Sequence, residues 1–311
     1  MLNITLRRKA RQFTKLVRSS AVERRSGTVH RPVLTQNGDL GLTFIGHSGF
    51  FLQLGGKNLV IDPNFARWLF ILKRLRKPGM HIRHLPAIDY VLVTHAHFDH
   101  LHRPSLRRIA RRTKRLTGQA PIIIVPRHLH DLVADLGFRD VIELDWWQEY
   151  ATGADGDSYA DLTGIASASP HRLTITHVPA NHWGARVIRD THRGFGGYVL
   201  RAGTHSIYHA GDTAYFEGFR EIGERLRPEL ALLPIGAYHP ESFRAVHTSP
   251  EDAMQAFLDL GSRWMVPMHY GTFRLSHEPM EEPVQRLHSA AAAAGVSEKI
   301  HVLEEGVTKF F

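Results

Sequence analysis

The chain has 311 residues, of which 43% are hydrophobic and 22% charged, and its 39 Lys and Arg against 30 Asp and Glu give a formal net charge of +9. This length and apolar content are enough for a sizeable core, which excludes a disordered basic tail. Because the chain contains no Cys, disulfides, thiolate metal sites, iron–sulfur clusters and cysteine nucleophiles are all excluded.

The first half of the chain is predicted to alternate short strands with helices. Apolar or alternating runs bounded by turn residues predict strands over residues 42–45, 50–54, 58–61, 90–94 and 122–125. A basic amphipathic pattern with a proline in its first turn predicts a helix over residues 104–116. The window 66–84 has two interpretations: a helix that packs Trp68, Leu69 and Leu72 onto the body, or a lid that rests on anionic lipid.

The second half of the chain repeats this alternation. Strands are predicted over residues 174–178, 197–201, 206–209 and 230–234, and a helix over 216–226. The hydroxyl residues Thr248 and Ser249, followed by Pro250 and two acids, predict a helix start, and Gly261 predicts its end. Since no linker separates the two halves, the pattern favours one α/β domain.

Positive charge is concentrated in three windows. Residues 1–25, 66–84 and 101–115 hold 21 of the 39 Lys and Arg but only one acid, Glu23, so the remainder of the chain is acidic. The first window mixes apolar and basic residues at a rough helical period, which is typical of a solvated arm or of a segment that docks on a membrane or a partner. The charge imbalance therefore marks particular segments rather than a uniform basic coat.

The most compact group of metal-ligand residue types follows the predicted strand 90–94. His95, His97, Asp99 and His100 provide four potential ligands within six positions. The two-residue spacing of His95 and His97 can direct both imidazoles at one ion, while Asp99 and His100 turn toward a second position. Open α/β sheets place their sites at the carboxyl ends of strands, where this loop lies. The spacing therefore predicts a metal site here.

His-x-His-x-Asp-His after an apolar strand resembles the signature of the metallo-β-lactamase fold, and the order of later motifs agrees with it. These later motifs are Pro179-Ala180-Asn181-His182-Trp183, Ala210-Gly211-Asp212-Thr213 and Met268-His269-Tyr270-Gly271. The resemblance implies an α/β fold, a four-layer αβ/βα sandwich of two mixed sheets flanked by helices. It also implies a catalytic domain over residues 33–311, preceded by a basic N-terminal extension over residues 1–32.

The same resemblance implies two Zn²⁺ ions and the residues that hold them. One ion would be held by His95, His97 and His182. The other would be held by Asp99, His100 and His269, and Asp212 would bridge the two ions. Imidazole and carboxylate are normal zinc ligands, and other divalent transition metals suit the same donors. Two ions can share a hydroxide that serves as the nucleophile, which removes the need for a protein base.

Within this large fold, lesser motifs resemble the branch that contains the N-acylphosphatidylethanolamine-hydrolysing phospholipase D and its bacterial relatives. These motifs are Gly46-His47-Ser48-Gly49-Phe50, Ile61-Asp62-Pro63, Leu233-Pro234-Ile235-Gly236 and Val246-His247-Thr248-Ser249. The resemblance implies that His247 lies in the active site, where it binds or protonates a phosphate oxygen. Asp99 is a second catalytic candidate, as a proton shuttle. His269-Tyr270-Gly271 departs from the His-Trp-Gly of that branch, which alters the pocket but keeps the ligand.

We therefore expect a zinc-dependent phosphodiesterase that acts on a phospholipid-like substrate through the bridging hydroxide. The alternative is a lactonase on a sugar-phosphate or acyl lactone, because the same hydroxide can attack a carbonyl. A nuclease is disfavoured, since the chain has no recognisable RNA-binding module or aromatic stacking platform. A non-enzymatic binding protein is disfavoured because all seven candidate ligands are present.

The expected partners are a small-molecule or lipid substrate and an anionic membrane surface, contacted through residues 1–25 and 66–84. Nucleic acid is not an expected partner. The apolar runs are far shorter than the roughly 20 residues that a membrane-spanning helix needs. The basic first 25 residues lack the apolar centre of a signal peptide. We therefore expect a cytoplasmic protein that can associate peripherally with a membrane.

Overall fold

The computed structural model describes Thr14, Val17, Arg18 and residues 21–35, 40–152, 158–161, 172–187 and 189–311. The strands of this part of the chain are β1 (Gly41–Gly46), β2 (Gly49–Leu54), β3 (Lys57–Ile61), β4 (Trp68–Leu69), β5 (Leu72–Lys73), β6 (Tyr90–Leu92), β7 (Ile122–Pro126), β8 (Val141–Leu144), β9 (Gln148–Ala151), β10 (Ser158–Asp161), β11 (Thr174–Val178), β12 (Gly197–Ala202), β13 (His205–His209), β14 (Leu230–Pro234), β15 (Trp264–Met268) and β16 (Thr308–Phe310). Its α-helices are α1 (Arg103–Thr117), α2 (His130–Val133), α3 (Gly218–Leu226), α4 (Pro250–Leu260) and α5 (Glu282–Ala293).

Two mixed sheets and one small hairpin account for these strands. Within the described residues the first sheet has the order β16-β1-β2-β3-β6-β7-β8, and the second has the order β10-β9-β11-β12-β13-β14-β15. In the first sheet, β3, β6, β7 and β8 run parallel to one another, and β13, β14 and β15 do so in the second. The loops that follow the parallel strands of each sheet therefore leave from one edge, which is where α/β proteins place their sites.

Both faces of the first sheet are buried, and alternate residues divide between them. Phe50 and Leu52 of β2 belong to a core that also contains strands of the second sheet, whereas Phe51 belongs to a core shared with Leu106 and Ile109 of α1. Helices α3 and α4 add side chains to the first of these cores. Successive side chains of a strand point to opposite faces, so this division places helix, sheet, sheet and helix in successive layers. The predicted four-layer α/β sandwich is confirmed.

The predicted start and end of the helix after Thr248 are confirmed. Ser249 is the N-cap: its hydroxyl accepts a hydrogen bond from the Asp252 main-chain N–H at 3.2 Å. The Asp252 carboxylate in turn accepts one from the Ser249 main-chain N–H at 3.0 Å. This reciprocal pair satisfies two amide groups that the first helical turn leaves free. Gly261 ends the helix in the left-handed conformation, with φ 62°.

The interpretation of the 66–84 window as a helix is wrong. Its first part is the β4–β5 hairpin, with Phe70 in the left-handed region at the turn, at φ 52°. The chain then continues extended, because its amide groups bond to other segments: Leu75 N–H donates to Thr272 O at 2.8 Å, and Lys77 N–H donates to Ser26 O at 2.9 Å. A helix would use these amides internally, so these pairings replace it.

The cations of this window are also less available to a surface than the sequence indicates. Arg74 is fully buried and donates to main-chain carbonyls. Arg76 forms ion pairs with Glu281 and Glu305. Lys73 donates to two main-chain carbonyls of the amino-terminal segment. Three of the cations expected to face lipid therefore hold the fold together instead.

The amino-terminal region is only partly described, and most of the 1–25 window lies outside the described residues. The segment that follows contacts the body, because Ser26 and His30 form isolated β-bridges with Arg76 and Met80. The boundary at residue 32 stays a prediction. Across the described ranges, no helix has both the length and the apolarity required to span a bilayer.

Candidate metal centre

The buried carboxylate of Asp62 fixes the loop that follows β6. Asp62 comes directly after β3, and its two oxygens accept hydrogen bonds from the Thr94 main-chain N–H at 2.9 Å and the Thr94 hydroxyl at 2.7 Å. The same carboxylate lies 2.7 Å from Nδ1 of His100. With Nδ1 directed at Asp62, the Nε2 atom of His100 points toward the opposite side, where the other candidate ligands lie. A carboxylate behind an imidazole is a common way to orient a metal-binding histidine.

One cluster combines the loop after β6 with loops of the second sheet. His95, His97, His182 and Asp212 place one donor atom each within 4.8 Å of the others. Nδ1 of His97 lies 2.9 Å from Nε2 of His95 and 3.3 Å from Nε2 of His182. Nδ1–H of His182 donates a hydrogen bond to the main-chain oxygen of Val246 at 2.9 Å. The Nε2 atom of His182 therefore keeps the lone pair that can bind a metal. Three imidazoles therefore converge with one carboxylate, as a metal requires.

A second cluster surrounds Asp99. The oxygen Oδ2 of Asp99 is 3.7 Å from Nε2 of His100 and 3.8 Å from Nε2 of His269. His47, which the sequence analysis did not assign to the site, lies closer still, with Nε2 at 2.9 Å from this oxygen. These four residues also place their donor atoms within 4.8 Å of one another.

The carboxylate of Asp212 lies between the two clusters. Its oxygens are 3.0 Å from Nε2 of His269 and 3.3 Å from Nε2 of His100 on one side. On the other side they are 3.9 Å from Nε2 of both His95 and His182. The side chain is buried, at 3% exposure. A carboxylate in this position would be shared by cations held in the two clusters.

His247, the catalytic candidate that is not also a candidate ligand, lies at the rim of the same centre. Its Nδ1 atom is 3.9 Å from Asp212 Oδ2, and its ring stacks on that of His269 with centroids 5.4 Å apart. Burial lowers the pKa of His247 to about 4, in spite of the opposing charge of Asp212. Its imidazole is therefore neutral at pH 7 and offers an N–H group as a hydrogen-bond donor.

The electrostatics divide the histidines into two groups. Burial lowers the pKa of His95, His97 and His182, to about 3 for His182, so these imidazoles are neutral. For His269 burial opposes protonation, but the carboxylates of Asp212 and Asp99 outweigh it and raise its pKa to about 9. The pKa of His100 is likewise raised, by Asp212, Asp62 and Asp99 against burial, well above its usual value.

The two central carboxylates stay ionised despite their burial. Burial alone would raise the pKa of Asp99 and Asp212, but the positive charge of His100 and the contacts with His269 lower both pKa values well below the usual range. Two protons on histidines thus compensate two buried negative charges. A divalent cation supplies the same compensation without occupying an imidazole nitrogen with a proton.

The residues present fit a cation by a second criterion, the hydrogen-bond count. Four buried atoms of the centre lack a partner in hydrogen-bond geometry among the described residues, although all four take part in the charge contacts of Asp212 given above: His100 Nε2, Asp212 Oδ1, His247 Nδ1 and His269 Nε2. Leaving a buried polar atom unsatisfied costs about 1–3 kcal/mol, so native structures rarely keep several together without a ligand. Their convergence on one space indicates that a cation or substrate completes the centre.

The main chain is held in a sparsely populated conformation at three of these positions. His47, Asp62 and His269 have φ values of 64°, 44° and 59°. Non-glycine residues in this region cost on the order of 1–3 kcal/mol each and persist where the surroundings impose them. Here the His47 N–H donates to the Thr272 hydroxyl at 2.7 Å, and the His269 N–H donates to His47 O at 2.8 Å.

The structure brings together all seven candidate ligands and His247, but three supporting residues were missed in the sequence analysis. His47 and Asp62 lie in motifs that carried the family resemblance without a role of their own. Arg186 joins the two ligand loops: it donates to main-chain oxygens of Ala96 and Leu101, and its guanidinium lies over the Phe98 ring at 3.8 Å. Nothing in the local spacing of Arg186 indicates this role.

Comparison with known proteins identifies the class to which this fold and site belong. Residues 57–270 match the family described as "Beta-lactamase superfamily domain", and the chain belongs to that superfamily. A solved structure, that of the metallo hydrolase Igni18 from Ignicoccus hospitalis, superposes with a TM-score of 0.59 at 28% identity. The superposition covers 88% of this chain and 98% of that one. Family and fold together place the chain among the metal-dependent hydrolases.

Two curated relatives bear on the activity. The chain is 30% identical over 270 residues to a UPF0173 metal-dependent hydrolase of Rubrobacter xylanophilus. The alignment covers 86% of this chain and 96% of that protein. The chain is also 30% identical over 279 residues to the mitochondrial N-acyl-phosphatidylethanolamine-hydrolyzing phospholipase D of Saccharomyces cerevisiae, which covers 86% of this chain. The chain spans 55% of the length of the yeast protein and 64% of the length of similar uncharacterized mycobacterial proteins.

Replacing Asp62 with Asn should weaken metal binding without unfolding the protein. The amide keeps the volume of the carboxylate but loses the charge that orients His100, and loss of such a partner typically lowers metal affinity about 10- to 100-fold. Chelator competition would measure the affinity, with Asp135→Asn as control, because Asp135 is an exposed carboxylate that pairs with arginines of α1. Equal metal affinity in the two variants would contradict this role for Asp62.

Metal binding at pH 7 should release protons. His100 and His269 are protonated in the metal-free protein at this pH, since their pKa values are raised, and each must become neutral to bind a metal. The metal affinity should therefore rise with pH, and the rise should still continue near pH 9, the pKa of His269. Calorimetry in buffers of different ionisation enthalpy would count the protons. Binding without proton release would show that these imidazoles are already neutral.

Proposed function

We propose that the protein is a phosphodiesterase that acts on a phospholipid-like substrate and uses two Zn²⁺ ions. The observation that carries this proposal is the position of Asp212, whose carboxylate lies 3.0–3.9 Å from imidazole nitrogens of both clusters. In this proposal one ion is held by His95, His97 and His182, and the other by Asp99, His100 and His269, with Asp212 shared. Cytoplasmic location, with peripheral membrane association, belongs to the same proposal.

The chemistry that two such ions supply, when bound, is Lewis-acid stabilisation of charge on phosphoryl oxygens and a nucleophilic water at neutral pH. The side chains of the chain do the rest. Asp62 and Val246 O hold His100 and His182 in orientation through their Nδ1 atoms. Asp99 stays ionised and is hydrogen-bonded to His47 at 2.9 Å; its lowered pKa suits it to holding a cation better than to accepting a proton. The site thus provides charge and orientation.

His247 has the position of a substrate-binding residue. It is neutral at pH 7, because burial lowers its pKa to about 4, and its Nδ1 atom lacks a partner among the described residues. A neutral imidazole can donate a hydrogen bond to a nonbridging phosphate oxygen, whereas it is a poor proton donor to a leaving group. We therefore assign His247 to binding the phosphate rather than to protonating it.

Exposed apolar side chains near the centre support a substrate with acyl chains. At the tip of the β4–β5 hairpin, Phe70 is 73% exposed and Ile71 is 50% exposed. The Phe70 ring packs edge-on against Phe98, with centroids 4.5 Å apart, and Phe98 follows the candidate ligand His97. Trp183, next to His182, is 43% exposed. Apolar side chains exposed beside the candidate ligands favour a substrate with an apolar part.

The resemblance in sequence adds independent support for a phosphodiester substrate. The yeast relative is named for hydrolysis of N-acylphosphatidylethanolamine, and the motifs around His47, Asp62 and His247 resemble that branch. Because the apolar hairpin tip replaces the expected basic surface of the 66–84 window, contact with lipid would depend on apolar insertion more than on charge.

Zinc-loaded protein should hydrolyse both bis-p-nitrophenyl phosphate and N-acylphosphatidylethanolamine. His247→Ala should lower kcat/KM on either substrate by about 10²-fold, since a hydrogen bond to a charged oxygen is lost. His247→Gln, which keeps an N–H donor, should retain more activity.

His288→Ala is the matched control, because His288 is exposed on α5. Metal content should be equal in all variants. Zinc-replete protein that opens lactones but leaves every phosphodiester intact would overturn the proposal in favour of a lactonase.

The tip of the β4–β5 hairpin should contribute to activity only on lipid substrates. The double variant Phe70→Ser, Ile71→Ser should lose activity on N-acylphosphatidylethanolamine vesicles about 10-fold and keep its activity on bis-p-nitrophenyl phosphate, because the tip contributes apolar contact and no chemistry. Leu258→Ser with Val307→Ser is the control, since both residues are exposed and apolar. An equal loss on both substrates would show instead that the tip supports the metal centre.

A further inference from the structure

A second concentration of positive charge lies on α1, outside the metal centre. Arg108, Arg111, Arg112 and Arg115 follow the spacing i, i+3, i+4, i+7, which places them on one face of the helix. They border a groove of about 640 Å³ between α1 and the 3₁₀ segment Ile82–His84. The groove is lined by Ile82, Arg83, Arg108, Arg111, Arg112, Lys114 and Arg115.

The arginines of this groove lack the acidic partners that their neighbours have. On the same helix, Arg103 and Arg107 both pair with Asp135, at 2.6 Å and 3.0 Å. Within the described residues, Arg108, Arg111 and Arg115 form no ion pair, and each is exposed. Arg112 donates to the main-chain oxygen of Leu85 at 2.8 Å, which fixes one wall of the groove.

This arrangement is costly for the isolated helix. Like charges three and four residues apart destabilise a helix, and the four arginines form four such pairs. The helix dipole favours cations only in the last turn, which accounts for Lys114 and Arg115 but not for Arg108 and Arg111. Solubility does not account for four arginines on one helix face, since a surface of mixed charges keeps a protein equally soluble. A bound polyanion would offset the repulsion.

The chemistry of the groove indicates the ligand. The guanidinium fork matches phosphate in geometry and charge. On a helix the Cβ atoms of residues three or four apart lie about 5–6 Å from each other, so neighbouring arginines of this face can reach one ligand. The groove volume lies within the range of ordinary ligand sites. None of the residues that line it is aromatic, so it offers no surface on which nucleic-acid bases stack.

We propose that this groove binds a ligand that carries two or more phosphate groups, at a site separate from the metal centre. None of the residues that line the groove belongs to the two candidate metal clusters. The occupant is either a soluble polyphosphate or the phosphorylated headgroup of a lipid. This inference does not depend on the proposed activity, because binding is measured without turnover.

The experiment compares the metal-loaded wild type with the triple variant Arg108→Gln, Arg111→Gln, Arg115→Gln. The matched control, Arg127→Gln with Arg139→Gln and Arg263→Gln, removes three exposed arginines that have acidic partners. With inorganic tripolyphosphate as the probe, calorimetry should show at least 10-fold weaker binding in the groove variant than in the control. Metal content and bis-p-nitrophenyl phosphate hydrolysis should be unchanged in both.

Thermal unfolding provides a second measurement. Without anion, the groove variant should have a Tm no lower than that of the control, because repulsion is removed, and tripolyphosphate should raise the Tm of the control but not of the groove variant. Vesicles that contain phosphatidylinositol 4-phosphate distinguish the sources. Recruitment of the wild type and the control but not of the groove variant, reversed by tripolyphosphate, indicates a lipid headgroup. Failure of recruitment with retained tripolyphosphate binding indicates a soluble ligand.

Three outcomes would overturn the proposal. The first is that the wild type does not bind tripolyphosphate, and the second is that the groove variant binds it as tightly as the control. The third is that a single-stranded RNA oligonucleotide binds the wild type and tripolyphosphate does not displace it, which would identify the groove as a nucleic-acid surface.

Discussion

The metal centre depends on one buried carboxylate that binds no candidate metal position itself. Asp62 accepts hydrogen bonds from the amide and the hydroxyl of Thr94 and contacts Nδ1 of His100. Because Thr94 immediately precedes His95, this single side chain sets the start of the loop that carries four candidate ligands. The placement of the loop residues His95 to His100 relative to β3 follows from that attachment. Burying a carboxylate without hydrogen bonds is unfavourable, but here each oxygen of Asp62 has a hydrogen-bond partner.

The two sheets contribute unequal parts of this centre, and neither suffices alone. The first sheet supplies the loop after β6, and the second supplies His182, Asp212 and His269 from three of its strands. The sandwich core between the sheets therefore determines the distance between the two sets of ligands. Left-handed main-chain conformations at His47, Asp62 and His269 bring the donor atoms into range. Packing of the core offsets the energy stored in those three residues.

The sequence predicts the parts of this structure that depend on local pattern. Strand ends and the capped helix after Ser249 were predicted because side-chain periodicity and capping are local signals. The loop His95–His100 was found because its donors are adjacent in sequence. His47 and Arg186 were missed because their roles arise from contacts with residues distant in the chain. The extended segment after the β4–β5 hairpin was missed for the same reason: the main-chain partners of Leu75 and Lys77, at Thr272 and Ser26, decide its conformation.

The spread of the candidate ligands along the chain affects the order of events during biosynthesis. His95, His97, Asp99 and His100 emerge from the ribosome together, but His269 follows only after another 169 residues have been added. The cluster of His95, His97, His182 and Asp212 is complete once Asp212 has been synthesised, whereas the cluster around Asp99 also needs His269. If both clusters hold cations, the two positions therefore become available one after the other as the chain grows.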